Sequence, residues 1–463
     1  MDHNQYVSPF SWRYGSNEMR TIWSEVNKRR LWRQIWVALA EAQSDFGLVS
    51  PEQVADLRAH ADQVDIERAL EIEVDIQHDV MAEVKTYAEQ CPLGGGIIHL
   101  GMTSMDVVDN SDALRVRQSL ELVLQRLSTL LTHLAGLIGT WADTPVMAFT
   151  HLQPAEPSTL GYRLAQYGQD LWLDFNNLER LRANIKGKGL KGAVGTSASY
   201  MELLGKENLA DFEAHLAEAL DLQFFPVTTQ VYPRKQDYEV LSALAGLGAS
   251  LYKFAFDLRL LQSPLLGELA EPFGRRQVGS SAMPFKRNPI NAEKIDSLAR
   301  LLAQYPRLAW DNAAHCLLER TLDDSANRRI SLPEAFLVAD ELLLTATRIC
   351  QGLQVDQAAI ERNQAAFGPF AASERVLMAL GKAGADRQVM HDRLRQHALQ
   401  AWEQLRQGNP NPLVDLVSQD DQIQPYLSST EIRTLMTAAD YVGDAPVRAK
   451  NFASLILASL HDQ

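Results

Sequence analysis

Residues 120–141 read LELVLQRLSTLLTHLAGLIGTW, with bulky apolar side chains at Leu120, Leu124, Leu127, Leu131, Leu134, Ile138 and Trp141. Steps of three and four put these on one face of an α-helix, because about 3.6 residues make a turn. The same pattern runs through Leu160, Leu164, Tyr167, Leu171, Leu178, Leu181 and Ile185. It continues over residues 238–261 and 289–318, the latter expected to bend at Pro306. Such windows exceed the usual globular helix of roughly 11–12 residues. Helices this long do not bury themselves. The pattern predicts an all-α fold built on a long-helix bundle, whose leftover apolar faces pack against other subunits. Ala243, Ala245, Gly246, Gly248 and Ala249 allow a second helix to approach closely.

Working outward, composition shifts suggest three parts: short mixed helices over 1–107, the long-helix bundle over 108–358, and a charged, shorter-helix tail over 359–463 with turn signals at Gly408–Pro412. The chain has 463 residues, 46% hydrophobic and 22% charged, enough for more than one domain around a sizeable core. Its formal net charge is -14 with both signs interleaved, and no basic stripe appears. Nucleic acid and anionic membrane surfaces are therefore poor partners, and an anionic ligand requires a local gathering of arginines. Cys91, Cys316 and Cys350 are odd in number and lack metal-type spacing, as expected of reduced thiols in a cytoplasmic protein. The opening MDHNQYVSPF is not expected to act as a secretory signal. The apolar run 240–256, broken by Gly246, Gly248 and Ser250, reads as a buried helix rather than a membrane span.

Polar residues that fit no helical face gather in a few windows. Arg13 and Tyr14 precede the first helix, and His78 and Asp79 adjoin an apolar pattern. In HLGMTSMDVVDN (99–110), Thr103 and Ser104 offer hydroxyls and amides at a helix start, which suits an anion but also a plain N-cap. In FTHLQPAEPSTLGYR (149–163), His151 sits in a proline-stiffened turn before a long helix, and histidine is the usual acid or base near neutrality. ERTLDDSANRR (319–329) holds Arg320, Ser325 and Arg329 among acids, and by itself also reads as a solvated charge run. The densest window is GSSAMPFKRNP (279–289): a light Gly-Ser segment, Lys286, then Asn288-Pro289 as an N-cap with proline in the first turn. A mobile segment anchored on a helix start is how a lid is built.

GSSAMPFKRNP resembles the signature loop of the fumarase/aspartase superfamily, and its Ala-Met-Pro-aromatic-Lys-Arg-Asn-Pro form resembles the adenylosuccinate lyase family within it. HLGMTS, THLQPAEPSTLG, KGAVGTSAS (191–199) and ERTLDDSANRR match that family in the same order. The resemblance implies a mainly helical three-domain fold and a homotetramer, with each site drawing on three subunits. It also implies elimination of fumarate from adenylosuccinate and from the succinylated aminoimidazole carboxamide ribotide, a small-molecule nucleotide substrate, and no metal or organic cofactor. By matched position, His151 is the general acid and Ser280 the general base. His78 supports the acid, Glu293 orients it, and Lys286 faces the succinyl carboxylates. Arg13, Tyr14, Asp79, Thr103, Ser104, Gln230, Asn288, Lys294, Arg320, Ser325 and Arg329 match substrate-binding positions.

The chemistry asks for these types. Loss of the Cβ proton loads charge onto the adjacent carboxylate, so fixed cations and amides belong there. Serine serves as base only in a closed, dry loop with a cation nearby. Two positions depart from the family. Gln77 stands where arginine is common, and Lys294 stands where some relatives have arginine, keeping the charge but losing the bidentate fork. The alternatives are a related lyase or cycloisomerase acting on another succinyl-amine or dicarboxylate, or a non-catalytic structural relative. Intact His151, Ser280 and Lys286 argue against the second.

Overall fold

The computed structural model describes residues 4–461. Helices dominate, and the longest is Ser104–Thr140, containing the Leu120–Trp141 seam up to Thr140. Two of the later long patterns become Leu160–Ala183 and Lys235–Leu261, and a further long helix, Asp323–Gln351, falls outside the patterns read from the sequence. The 289–318 pattern does not bend at Pro306; it breaks into Ile290–Leu302 and Tyr305–Ala314. Pro306 sits in the first turn of the second helix, where a missing N–H leaves no ladder bond unmade.

The chain forms two compact units. One comprises residues up to Arg126, Asp174–Ala249 and Leu298–Leu343; the other comprises Leu127–Leu173, Ser250–Ser297 and the chain from Leu344 on. Every one of these boundaries falls inside a long helix. No loop composition marks them.

In the first unit the Glu25–Asp45 helix, capped by the Ser24 hydroxyl, divides its apolar residues between two clusters. Trp32 and Trp36 join Leu57, Val80, Tyr87 and Val107, while Ile35 and Leu39 join Tyr200, Phe212 and Leu216. Each large side chain so buried contributes about 1.5–3 kcal/mol over leaving it in water. Among the described residues one helix, Ser104–Thr140, has the length and apolar composition to cross a membrane. Its buried Asp106, Asp109 and Asp112 are ion-paired with Lys188, Arg234 and Arg115, so its first turns are the core of a packed protein.

The second unit buries Leu127, Leu131, Leu134 and Ile138 of that seam, together with Leu160 and Leu164. A side chain at Gly161 would put Cβ 2.5 Å from the Ile138 carbonyl oxygen, so only glycine permits this approach. The window 145–159 departs from the expectation of a turn within an all-α chain. Pro145–Thr150 and Gln153–Thr159 form an antiparallel β-hairpin, bulged between Met147 and Phe149. A second two-stranded sheet pairs Leu269–Ala270 with Gln354–Val355. Below the hairpin the Gln357–Lys382 helix buries Ala372, Val376 and Leu380 against Leu394, Leu413 and Ile432.

Cys91 and Cys350 are buried free thiols and Cys316 is half-buried. Burial pushes the thiols of Cys91 and Cys350 up to about 12, which keeps them protonated and unreactive.

One packing contact makes stability pH-dependent. The Trp36 indole N–H donates to His99 Nδ1 at 3.1 Å, which requires that nitrogen to be unprotonated. Burial pushes His99 down to about 4. Below the ordinary histidine pKa of about 6.5 the unfolded chain binds a proton that the folded chain refuses. Stability is therefore complete above that value and is lost as pH falls towards 4, by about 3 kcal/mol in all. Denaturant unfolding at pH 7 and pH 4.5 should show this loss in the wild type, and His99→Gln should remove most of it.

Candidate active site

In the first unit, helix ends converge on a cavity of about 590 Å³, within the roughly 300–1,000 Å³ typical of small-molecule sites. His78 is the N-cap of the Asp79–Gln90 helix: its Nδ1 accepts from the Met81 amide at 3.3 Å, leaving Nε2 towards Ser104 Oγ at 3.5 Å. Ser104 opens the longest helix, while Asp106 accepts from the Thr103 amide at 2.9 Å. Asp106 also accepts from the amides of Lys191 and Gly192, so the 191–199 motif braces the 103–104 turn. From the far side come Gln230, Arg320, Ser325 and Arg329. The cavity thus brings together eight expected substrate-side residues: His78, Asp79, Thr103, Ser104, Gln230, Arg320, Ser325 and Arg329.

The run 319–329 is only partly solvated. Asp324 and Arg328 are buried: Asp324 pairs with Arg234 at 2.6 Å and Arg320 at 2.7 Å, and Arg328 pairs with Asp237 at 2.7 Å and Asp112 at 3.2 Å. Arg329 instead stays exposed and holds Asp79 at 2.8 Å. Burial raises the Asp79 carboxyl, but Arg329 and the Val80 amide outweigh it and hold Asp79 below the usual range. Arg13 and Tyr14 are not on the cavity wall. Arg13 is exposed, its guanidinium 5.9 Å from the Tyr14 ring centroid.

The other expected residues belong to the second unit. His151 and Leu152 are the two turn residues of the hairpin, with φ of 54° and 59°. Two positive values in a two-residue hairpin define a type I′ turn, normally built from Asn-Gly. A histidine and a leucine there carry strain of about 1–3 kcal/mol each, a cost that concentrates at functional sites. The turn leaves His151 exposed at the hairpin tip.

The signature loop is a closed ring. The Asn288 side-chain amide Nδ2 donates to the Gly279 carbonyl at 2.9 Å, and a Cβ on Gly279 would lie 2.0 Å from the Lys286 carbonyl oxygen. The sequence reading makes Asn288 a helix cap. Here the helix begins at Ile290, and the buried Glu271 carboxylate takes the Asn291 and Ala292 amides, so Asn288 ties the loop instead. Ser280 Oγ accepts the Met283 amide at 3.0 Å and the Ala282 amide at 3.3 Å. Donors aimed at an oxygen favour its charged form, which is what a serine base needs. Lys286 is exposed on the same loop. Glu293 lies 3.8 Å from Arg259, which binds Asp296 at 2.7 Å, and Lys294 follows it on the helix.

The comparisons with known proteins fit this geometry. Residues 12–301 match the family described as Lyase, and residues 369–452 match the adenylosuccinate lyase C-terminus. The chain is 39% identical over 459 residues to adenylosuccinate lyase of Saccharomyces cerevisiae, covering 97% of this chain and 94% of that protein. It belongs to the adenylosuccinate lyase family. The Schistosoma mansoni adenylosuccinate lyase is 40% identical, covering 92% of this chain and 90% of its own. Among solved structures, 3-carboxy-cis,cis-muconate lactonizing enzyme from Pseudomonas putida superposes with a TM-score of 0.85 at 26% identity, covering 97% of this chain and 99% of that one. Fumarate lyase from Mesorhizobium sp. BNC1 gives 0.84 at 25%, with the same coverage.

For this member of the adenylosuccinate lyase family, sequence reasoning missed part of the cavity wall. Trp23, Lys28, Trp32, Glu73 and Arg115 line it as well. Arg115 carried a signal: it lies between Leu114 and Val116 on a helix otherwise buried there. Lys28 carried none, because a lysine one turn from Glu25 reads as a solvated pair.

Proposed function

We propose that this protein is an adenylosuccinate lyase, eliminating fumarate from adenylosuccinate to leave AMP, and from succinylaminoimidazole carboxamide ribotide in the same way. The match to the yeast enzyme along nearly the whole of both chains carries this reading. In it, Arg320, Ser325, Arg329, Thr103, Ser104 and Gln230 hold the nucleotide in the cavity. Cationic and hydroxyl groups converging from three helix starts suit a phosphate. Ser280 removes the Cβ proton, and the electron pair moves into the adjacent carboxylate, where Lys286, Asn288 and Lys294 receive the charge. The C–N bond then breaks as His151 gives its proton to the departing amine nitrogen. His78 and Glu293 support the acid.

The reading takes the working form to be a homotetramer whose sites are shared between copies. Two things support it: the proposed acid, on an exposed hairpin tip, and the proposed base, half-buried in its loop, both lie off the cavity wall, and long helices leave Phe256, Leu260 and Ile330 exposed.

Incubation with adenylosuccinate, followed by ultraviolet absorbance and by fumarate release, tests the reaction. Turnover to equimolar AMP and fumarate is expected. No turnover of adenylosuccinate, with turnover of another fumarate-releasing compound, would replace this reading with a different lyase.

A further inference from the structure

Every cation on the cavity wall has a carboxylate partner, but the partners differ in how firmly they hold. Arg328 is locked between buried Asp237 and Asp112, and Arg320 on buried Asp324. Arg115 pairs with buried Asp112. Lys28 is different. Its side chain is 13% exposed, yet it pairs at 2.6 Å with Glu25, whose side chain is 60% exposed. The ammonium lies 5.2 Å from the Trp32 ring centroid, so the aromatic face holds the cation in place while the carboxylate remains in water.

We propose that Lys28 is a phosphate-selecting residue of this cavity: Glu25 occupies its ammonium when the cavity is empty, and the nucleotide phosphate displaces Glu25. This rests on the nucleotide reading above. Displacing Glu25 costs little, because a hydrated carboxylate contributes little to such a pair. A phosphate bears close to two charges and three acceptor oxygens, and meets Lys28 where water is already largely excluded. Burial with Arg115 and Arg29 nearby lowers the Lys28 pKa even in Glu25's presence, so this ammonium is under-compensated and gains from a stronger anion. Sequence spacing also fits: Lys28 lies one turn from Glu25 and Trp32 on the capped Glu25–Asp45 helix, so all three share a face that the cavity reaches.

Calorimetric titration of wild type, Lys28→Met, Lys28→Arg and Glu25→Gln with AMP and with adenosine tests this. Lys28→Met should weaken AMP by about 10-fold or more and leave adenosine unchanged. Lys28→Arg should recover most of the loss, and Glu25→Gln should tighten AMP several-fold. Equal AMP affinity in wild type and Lys28→Met overturns the proposal, as does a parallel loss of AMP and adenosine, which marks a structural role. Wild-type protein that binds neither compound overturns the nucleotide reading itself, and the proposal with it.

Discussion

Ser280→Ala should lower the turnover of adenylosuccinate by about 10²–10⁴-fold, the usual contribution of a positioned acid–base group. His151→Ala should do the same. Ser280 Oγ already accepts two backbone amides, from Ala282 and Met283, inside a ring closed by Asn288 and Gly279. An oxygen so placed is prepared to carry negative charge, whereas a serine in water is not. The measurement is kcat, with far-ultraviolet circular dichroism confirming that the fold survives. Because Ala at 280 also removes a turn contact, the neighbouring Ser281→Ala serves as the control. Ser281 is exposed on the same loop, and near-normal kcat is expected. If Ser280→Ala keeps near-normal activity, the base lies elsewhere. If Ser281→Ala falls as far as Ser280→Ala, loop geometry rather than proton removal is being read.

Arg328→Met should destabilise the protein by about 3–5 kcal/mol, the cost of leaving buried charges uncompensated. Arg328 donates to Asp237 at 2.7 Å and to the Tyr232 hydroxyl at 2.8 Å, and lies 3.2 Å from Asp112. Asp109, 4.0 Å away, is held by Arg234 at 3.0 Å, and burial raises its carboxyl even so. Removing this guanidinium therefore strands buried Asp237 and leaves buried Asp112 with Arg115 alone. Denaturant unfolding gives the magnitude, and lowering the pH should restore part of it as those carboxylates protonate. Arg307→Ala breaks an exposed pair with Asp311 and should leave the unfolding midpoint unchanged. Equal midpoints for wild type and Arg328→Met would show that the network is not what holds this wall.

Much of the site was legible because its chemistry is written locally. Thr103, Ser104 and Ser325 each lie within one turn of a helix start and Arg329 one turn further on, so a short window shows both the residue types and the free backbone amides beside them. The ring of 279–288 was legible in composition but not in closure. That Asn288 binds Gly279 rather than capping a helix depends on Glu271, far from both in a turn's length of chain, arriving to take the amides. The hairpin around His151 was hidden for another reason. Two prolines interrupt its second strand, and its turn residues are not those that a type I′ turn prefers.

By itself the sequence determined the long helices, because a repeat of three and four apolar residues has one low-energy solution over such lengths. It also determined the identities and order of the residues proposed for the chemistry. Only the tertiary structure decided which charges are buried, that Arg328 is locked among buried carboxylates while Arg329 stays exposed, and that Lys28 joins the wall. Neighbouring positions on one helix differ by about 100° in direction. Which of those directions meets water, a carboxylate or a ligand is set by elements far away in the chain.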